Sequence, residues 1–170
     1  LPALPSGFPP SVTIVQHQLA TANDYLPRSL DEKCRVTVKP AEEKEHMKAG
    51  HVYIAPPNYH LMVEIDHTFS LSVHERVRHA RPSIDVLFES AAEAYGQSLI
   101  GVILTGANDD GSRGLKKIKE FGGFALVQDP ASAESSVMPQ AALEATRVDR
   151  IVPLEKIAPL LIDLCKETRE

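Results

Sequence analysis

Residues 98–123, SLIGVILTGANDDGSRGLKKIKEFGG, decide the fold. SLIGVILTG is a short apolar run, the mark of a strand buried on both faces and therefore of a parallel sheet. GANDDGSRG is a Gly/Asp/Asn loop. RGLKKIKEFGG has helical spacing and ends on Gly122-Gly123, a helix stop. Strand, polar loop and helix in succession form the repeating unit of an α/β fold. This strand is the most hydrophobic of the chain and is expected at the centre of the sheet.

The same unit recurs on either side. Upstream, SVTIVQH (11–17) is a β-branched run ending on His17, followed by a helical segment over 18–33 with Leu19, Tyr25, Leu26 and Leu30 as its apolar positions. CRVTVKP (34–40) and HVYIAPP (51–57) read as two more strands around a polar loop, AEEKEHMKAG. LMVEID and FSLSVH flank His67-Thr68, the pattern of an antiparallel hairpin. ERVRHARPS is a basic loop broken by Pro82. SIDVLFESAAEAYG (83–96) is an amphipathic helix with Ser83 as N-cap, an apolar stripe of Ile84, Leu87, Phe88 and Ala91, and Gly96 as its stop. Downstream come the strand FALVQDP, the short helix in SSVMPQAALEA, the extended RIVPL and a terminal helix, LEKIAPLLIDLCKE. The prediction is an α/β fold: a doubly wound, mostly parallel sheet with helices on both faces and one antiparallel hairpin, in a single domain over residues 1–170.

Composition narrows the function. The 170 residues carry 18 Lys+Arg against 23 Asp+Glu, a net charge of −5, which argues against a phosphate-backbone binder and so against a nucleic-acid partner. No apolar run approaches the roughly 18–20 residues of a membrane span, so direct membrane insertion is not expected. Two cysteines, Cys34 and Cys165, make neither a disulfide scaffold nor a metal motif, which points to a reduced, cytoplasmic setting. The opening LPALPSGFPPS has no signal-peptide pattern and begins on Leu1, so residues upstream of it are expected.

In parallel α/β sheets, functional groups gather beyond the carboxyl ends of the strands. His17 ends one strand, and Asn108, Asp109 and Asp110 follow another. A histidine and an aspartate so placed can form the base and orienting acid of a nucleophilic triad. Equally, the loop can be a plain turn with Asx hydrogen bonds, and the histidine a strand-end residue. The loop lacks the alternating acidic spacing and distal Glu of a calcium site and the Gly-Lys-Ser/Thr of a phosphate loop. The other six histidines show no zinc spacing. Arg76, Arg78, His79 and Arg81 make a local basic patch, either a solvated loop or an anchor for acidic groups.

Five segments, taken in order, carry a resemblance: IVQH, VYIAPPNYHLMV, RHARPSIDVLFESAA, GVILTGANDDGSRGLKKIKEFGG and VQDPASAESSVMPQAAL. Together, from about residue 5 to 160, they resemble the catalytic domain of the chemotaxis protein-glutamate methylesterases (the CheB family). The resemblance implies hydrolysis of glutamate γ-methyl esters, with glutamine deamidation, on methyl-accepting chemotaxis receptors by a Ser-His-Asp mechanism that needs no metal or cofactor. It implies the receptors as partners, and a receiver domain in the same or another chain. The family's histidine falls on His17 and its aspartate on Asp110; a backbone oxyanion donor falls on Ala107, where relatives often carry Met. The family's serine sits in a G-x-S-x-G-like turn ahead of LPALP, and no serine here fits that motif: Ser6 and Ser11 lie in the Pro-rich opening, and Ser112 reads as a helix cap. No nucleophile is therefore assigned. Two expectations follow: a domain whose serine turn is encoded upstream of Leu1, or a catalytically inactive binding or regulatory module of a larger signalling protein.

Overall fold

The computed structural model describes residues 1–167. Three strands form a parallel sheet in the order β1-β3-β2: β1 (Val12–Ile14), β2 (Thr37–Pro40) and β3 (His51–Ile54). A second parallel sheet runs β6-β7-β8, with β6 (Ile100–Ile103), β7 (Phe124–Gln128) and β8 (Arg150–Val152). Between them in the chain, β4 (His60–Val63) and β5 (Phe69–Ser72) pair as an antiparallel hairpin, Val63 opposite Phe69. The helices are α1 (Tyr25–Asp31), α2 (Ile84–Tyr95), α3 (Ser112–Glu120), α4 (Val137–Ala145) and α5 (Leu154–Glu167). The expected α/β architecture of parallel sheets with one hairpin is the observed one.

Strand alternation explains the layering, because successive side chains of β3 point to opposite faces. Val52 and Ile54 pack with Val36, Val38, Leu4 and Phe8 under α1 and α5. Tyr53 and Ala55, on the other face, join Leu61, Phe69, Leu87 and Ala91 from the hairpin and α2. Around the second sheet, Ala125, Val127 and Ile103 pack against Leu115 and Ile118 of α3 and Met138 and Ala142 of α4. Helix α5 follows β8 yet returns to cover β2 and β3, tying the two sheets together.

Three local expectations need correction. The helix expected over 18–33 is confined to α1; Leu19 and Tyr25 are exposed, so they are not core positions. Strand β6 is not central: it is an edge of its sheet, half-buried in alternation, and β7 occupies the centre with Ala125–Val127 fully buried. Ser112 does not cap α3, because Gly111 takes that position and the Ser112 side chain makes no capping bond.

Candidate active site

His17 leaves the carboxyl end of edge strand β1, and Asp110 follows the carboxyl end of edge strand β6. Ninety-three residues apart, they meet: His17 Nε2 lies 2.7 Å from Asp110 Oδ2. The imidazole is 30% exposed and the carboxylate fully buried, so one partner faces outward while the other is held from behind.

What holds the carboxylate is the start of α2. Asp110 Oδ2 also accepts from the Ile84 N–H at 2.7 Å, and Oδ1 accepts from the Asp85 N–H at 3.0 Å and the Ser83 hydroxyl at 2.8 Å. The first N–H groups of a helix lack partners within the helix and carry its positive end. Asp110 satisfies two of them, so it caps α2 from a distant loop. Ser83 occupies the N-cap position as expected, but its hydroxyl serves Asp110 and not the helix backbone.

Burial alone would push the Asp110 carboxyl up. The His17 ring, the Asp85 and Ile84 N–H groups and the Ser83 hydroxyl outweigh that, and the group is held below its ordinary 3.8. An ionised, acceptor-only Asp110 fixes the tautomer of its partner. Against an ionised Asp110, Nε2 is the nitrogen that donates, which leaves Nδ1 facing away from the carboxylate.

The loop geometry follows from sequence. Asn108 Oδ1 accepts from the Asp110 N–H at 3.1 Å, an Asx turn that aims Asp110 at α2. Gly111 then takes φ +93°, and a Cβ there would stand 2.6–2.7 Å from Ile103 and Ile84. Both conditions require glycine directly after the aspartate.

A second carboxylate lies beside the first. Asp85 is fully buried; its Oδ1 accepts from the Gly114 N–H at 2.7 Å, and its Oδ2 has no hydrogen bond among the described residues. Its nearest cations are Arg78, Nε at 3.5 Å, and Arg113, Nε at 3.9 Å. Burial pushes this carboxyl up, the Gly114 N–H opposes the rise, the Asp110 charge adds to it, and the two arginines oppose it; the net direction is upward. Sequence reasoning missed Asp85. The available signal was an acid in the first turn of an apolar helix, on a residue next to the stripe.

The basic patch is largely spent on structure. Arg81 donates to Asn58 Oδ1 and to the Val73 and His74 carbonyls at 2.7–2.9 Å, and Arg78 pairs with Asp109 as well as Asp85. Among the described residues Arg76 reaches only the His79 carbonyl, at 3.4 Å. Among the described residues no group of three His, Cys, Asp or Glu side chains could hold a metal, and no helix is long and apolar enough to cross a membrane.

Residues 1–161 match the family model described as CheB methylesterase. The chain belongs to the CheB methylesterase family. A Leptospira interrogans protein that bears the name "Putative protein-glutamate methylesterase/protein-glutamine glutaminase" is 56% identical over the whole chain, which spans 88% of it. The protein of that name from Thermotoga maritima is 35% identical over 96% of the chain, which spans 48% of that relative. The crystal structure of the Thermotoga maritima CheB methylesterase catalytic domain superposes with a TM-score of 0.92 at 36% identity, covering 96% of this chain and 88% of that one. The CheB-type fold and the methylesterase class expected from sequence are thus those of its relatives.

Proposed function

We propose that this CheB-family chain is the catalytic domain of a protein-glutamate methylesterase, hydrolysing glutamate γ-methyl esters on methyl-accepting chemotaxis receptors. The observation that carries the reading is the 2.7 Å His17–Asp110 pair, on the two positions where the family's histidine and aspartate fall. The nucleophile is a serine outside these 170 residues, presented in the G-x-S-x-G-like turn of the family. A receiver domain, in the same or another chain, is the regulatory partner.

In this reading His17 Nδ1 takes the serine proton as the hydroxyl attacks the ester carbonyl. Asp110, already hydrogen-bonded to Nε2, compensates the imidazolium charge and holds the ring. The Ala107 N–H stabilises the oxyanion of the tetrahedral intermediate; such donors are typically worth a few kcal/mol each. His17 returns the proton to the departing methoxide, and methanol leaves. Water then attacks the acyl-serine with His17 again as base, freeing a glutamate carboxylate and the serine. Glutamine deamidation follows the same route with ammonia as leaving group.

The test is methanol release from methylated receptor by the full-length protein. His17→Ala should lower kcat on the order of 10⁴-fold or more. Undiminished release by that variant overturns the reading.

A further inference from the structure

The loop that carries Ala107 is gripped from one side. Thr105 Oγ1 donates to the Ser135 carbonyl at 3.1 Å and accepts from the Ser135 N–H at 2.8 Å. The Gly106 N–H donates to the same Ser135 carbonyl at 3.2 Å. The Gly106 carbonyl accepts twice, from the Ser135 hydroxyl at 3.0 Å and from the Met138 N–H in the first turn of α4, also at 3.0 Å. From behind, buried Gln128 accepts from the Thr105 N–H at 2.9 Å and donates to the Ser132 carbonyl at 3.1 Å. Gly106 is small for a reason: a Cβ there would stand 2.5–3.0 Å from Met138 side-chain atoms.

A peptide unit is planar and trans, so its C=O and N–H point in opposite directions. Pinning the Gly106 carbonyl onto Ser135 and α4 therefore fixes the Ala107 N–H pointing away from α4. Among the described residues that N–H has no hydrogen-bond partner, whereas the N–H groups of Thr105 and Gly106 are both engaged. Two donors on the carbonyl also polarise the peptide, which strengthens its N–H as a donor. We propose that the Ser135 hydroxyl, acting with the Met138 N–H through the Gly106 carbonyl, is a positioning group that orients the Ala107 N–H for anion stabilisation. The inference rests on the proposed esterase reading, in which that N–H faces the oxyanion.

The experiment compares full-length wild type with Ser135→Ala, Ser135→Thr and Gly106→Ala, using methylated receptor as substrate and a small alkylboronic acid as tetrahedral-anion mimic. Ser135→Ala should lower kcat about tenfold with KM within twofold. Its boronate inhibition constant should rise in parallel. Ser135→Thr, which keeps the hydroxyl, should restore both. Gly106→Ala, which drives a methyl group into Met138, should lower kcat further than Ser135→Ala. A Ser135→Ala enzyme with altered melting temperature but unchanged kcat and boronate affinity overturns the inference. So does a loss confined to KM. Failure here is separable from failure of the esterase reading, because the latter shows as undiminished methanol release in His17→Ala.

Discussion

Asp110 and Asp85 cap each other's helices. Asp110, two residues before α3, accepts N–H bonds from Ile84 and Asp85 at the start of α2; Asp85, in the first turn of α2, accepts the Gly114 N–H in the first turn of α3. Each helix start is thus held by a carboxylate from the other's end of the chain. The crossing makes the position of Asp110 a property of the α2–α3 pair and not of its loop alone. His17, bonded to Asp110, inherits that rigidity.

The pair predicts opposite pH responses. The Asp110 carboxyl lies below its ordinary 3.8 in the fold, so the native state binds fewer protons there than the unfolded chain. Its stabilisation is present above about pH 4 and is lost as pH falls through the depressed native value. The Asp85 carboxyl lies above 3.8, so its ionisation costs native stability as pH rises from there through the raised value. Urea unfolding from about pH 3 to 7 should show Asp110→Asn flattening the acid loss of stability, and Asp85→Asn flattening the opposing decline. Curves parallel to wild type would contradict the assignment of either charge.

Truncation of Asp110 separates structure from chemistry. Asp110→Ala strips the Ile84 and Asp85 N–H groups and the Ser83 hydroxyl of their shared acceptor inside the fold. It should cost about 2–4 kcal/mol in unfolding free energy. Asp110→Asn keeps the volume and one acceptor, so it should destabilise less. It should still lower methanol release on the order of 10³–10⁴-fold, because an amide nitrogen facing His17 favours the wrong tautomer. A stable, fully active Asp110→Asn enzyme would remove Asp110 from the mechanism.

The architecture was legible because its signals are local. The amphipathic stripe of α2, the apolar β7 and the Gly122-Gly123 stop of α3 depend on near neighbours in the chain, and each element forms where the pattern puts it. The His17–Asp110 meeting is non-local. Spacing offered only a weak hint, and it was the ordered motifs of the family that singled out the two positions. Asp85, Ser135 and Gln128 stayed hidden because each acts across 23–29 residues of sequence on a backbone group, which leaves no trace in residue type or periodicity. The basic loop read as either solvated or an anchor for acidic groups; in the fold Arg81 is consumed by carbonyls and Arg78 by carboxylates of the same chain. The place of β6 was not legible either: its apolar run marks burial, and among the described residues β7 is the middle strand of that sheet.

Gly114 sets how closely the two helices approach. A Cβ at this position would lie 2.5 Å from the Phe88 Cβ and 3.1 Å from the Asp85 backbone. Two of those neighbours are backbone atoms, so side-chain rotation cannot relieve the overlap. Gly114→Ala should push α3 off α2, stretch the Gly114–Asp85 bond and cost about 2–3 kcal/mol. The ordinary helix preference for Ala over Gly, up to about 1 kcal/mol the other way, is too small to reverse the sign. Thermal unfolding checks the direction, and an unchanged or raised midpoint would mean the helices separate at no cost.

Arg78 and Asp85 provide the last prediction, a coupling. Removing the cation leaves the fully buried Asp85 carboxylate facing Arg113 alone, whose Nε is nearer to Glu89 at 2.7 Å than to Asp85 at 3.9 Å. Breaking a buried pair from one side costs about 3–5 kcal/mol. Arg78 is itself 34% exposed, and water can enter where its guanidinium was, so about 1–2 kcal/mol is expected at neutral pH for Arg78→Met. The Asp109 side of the arginine is half-exposed and contributes little. In an Asp85→Asn background no charge remains to be stranded, and the same Arg78→Met change should fall to within about 0.5 kcal/mol of neutral. The double-mutant cycle, read by urea unfolding at neutral pH, isolates the pair. It also gives a sign in acid: below the raised native value of Asp85 the carboxyl is protonated, and the penalty for losing Arg78 should shrink as pH falls through that point. Additive effects at every pH would mean that the arginine serves only Asp109 and the loop.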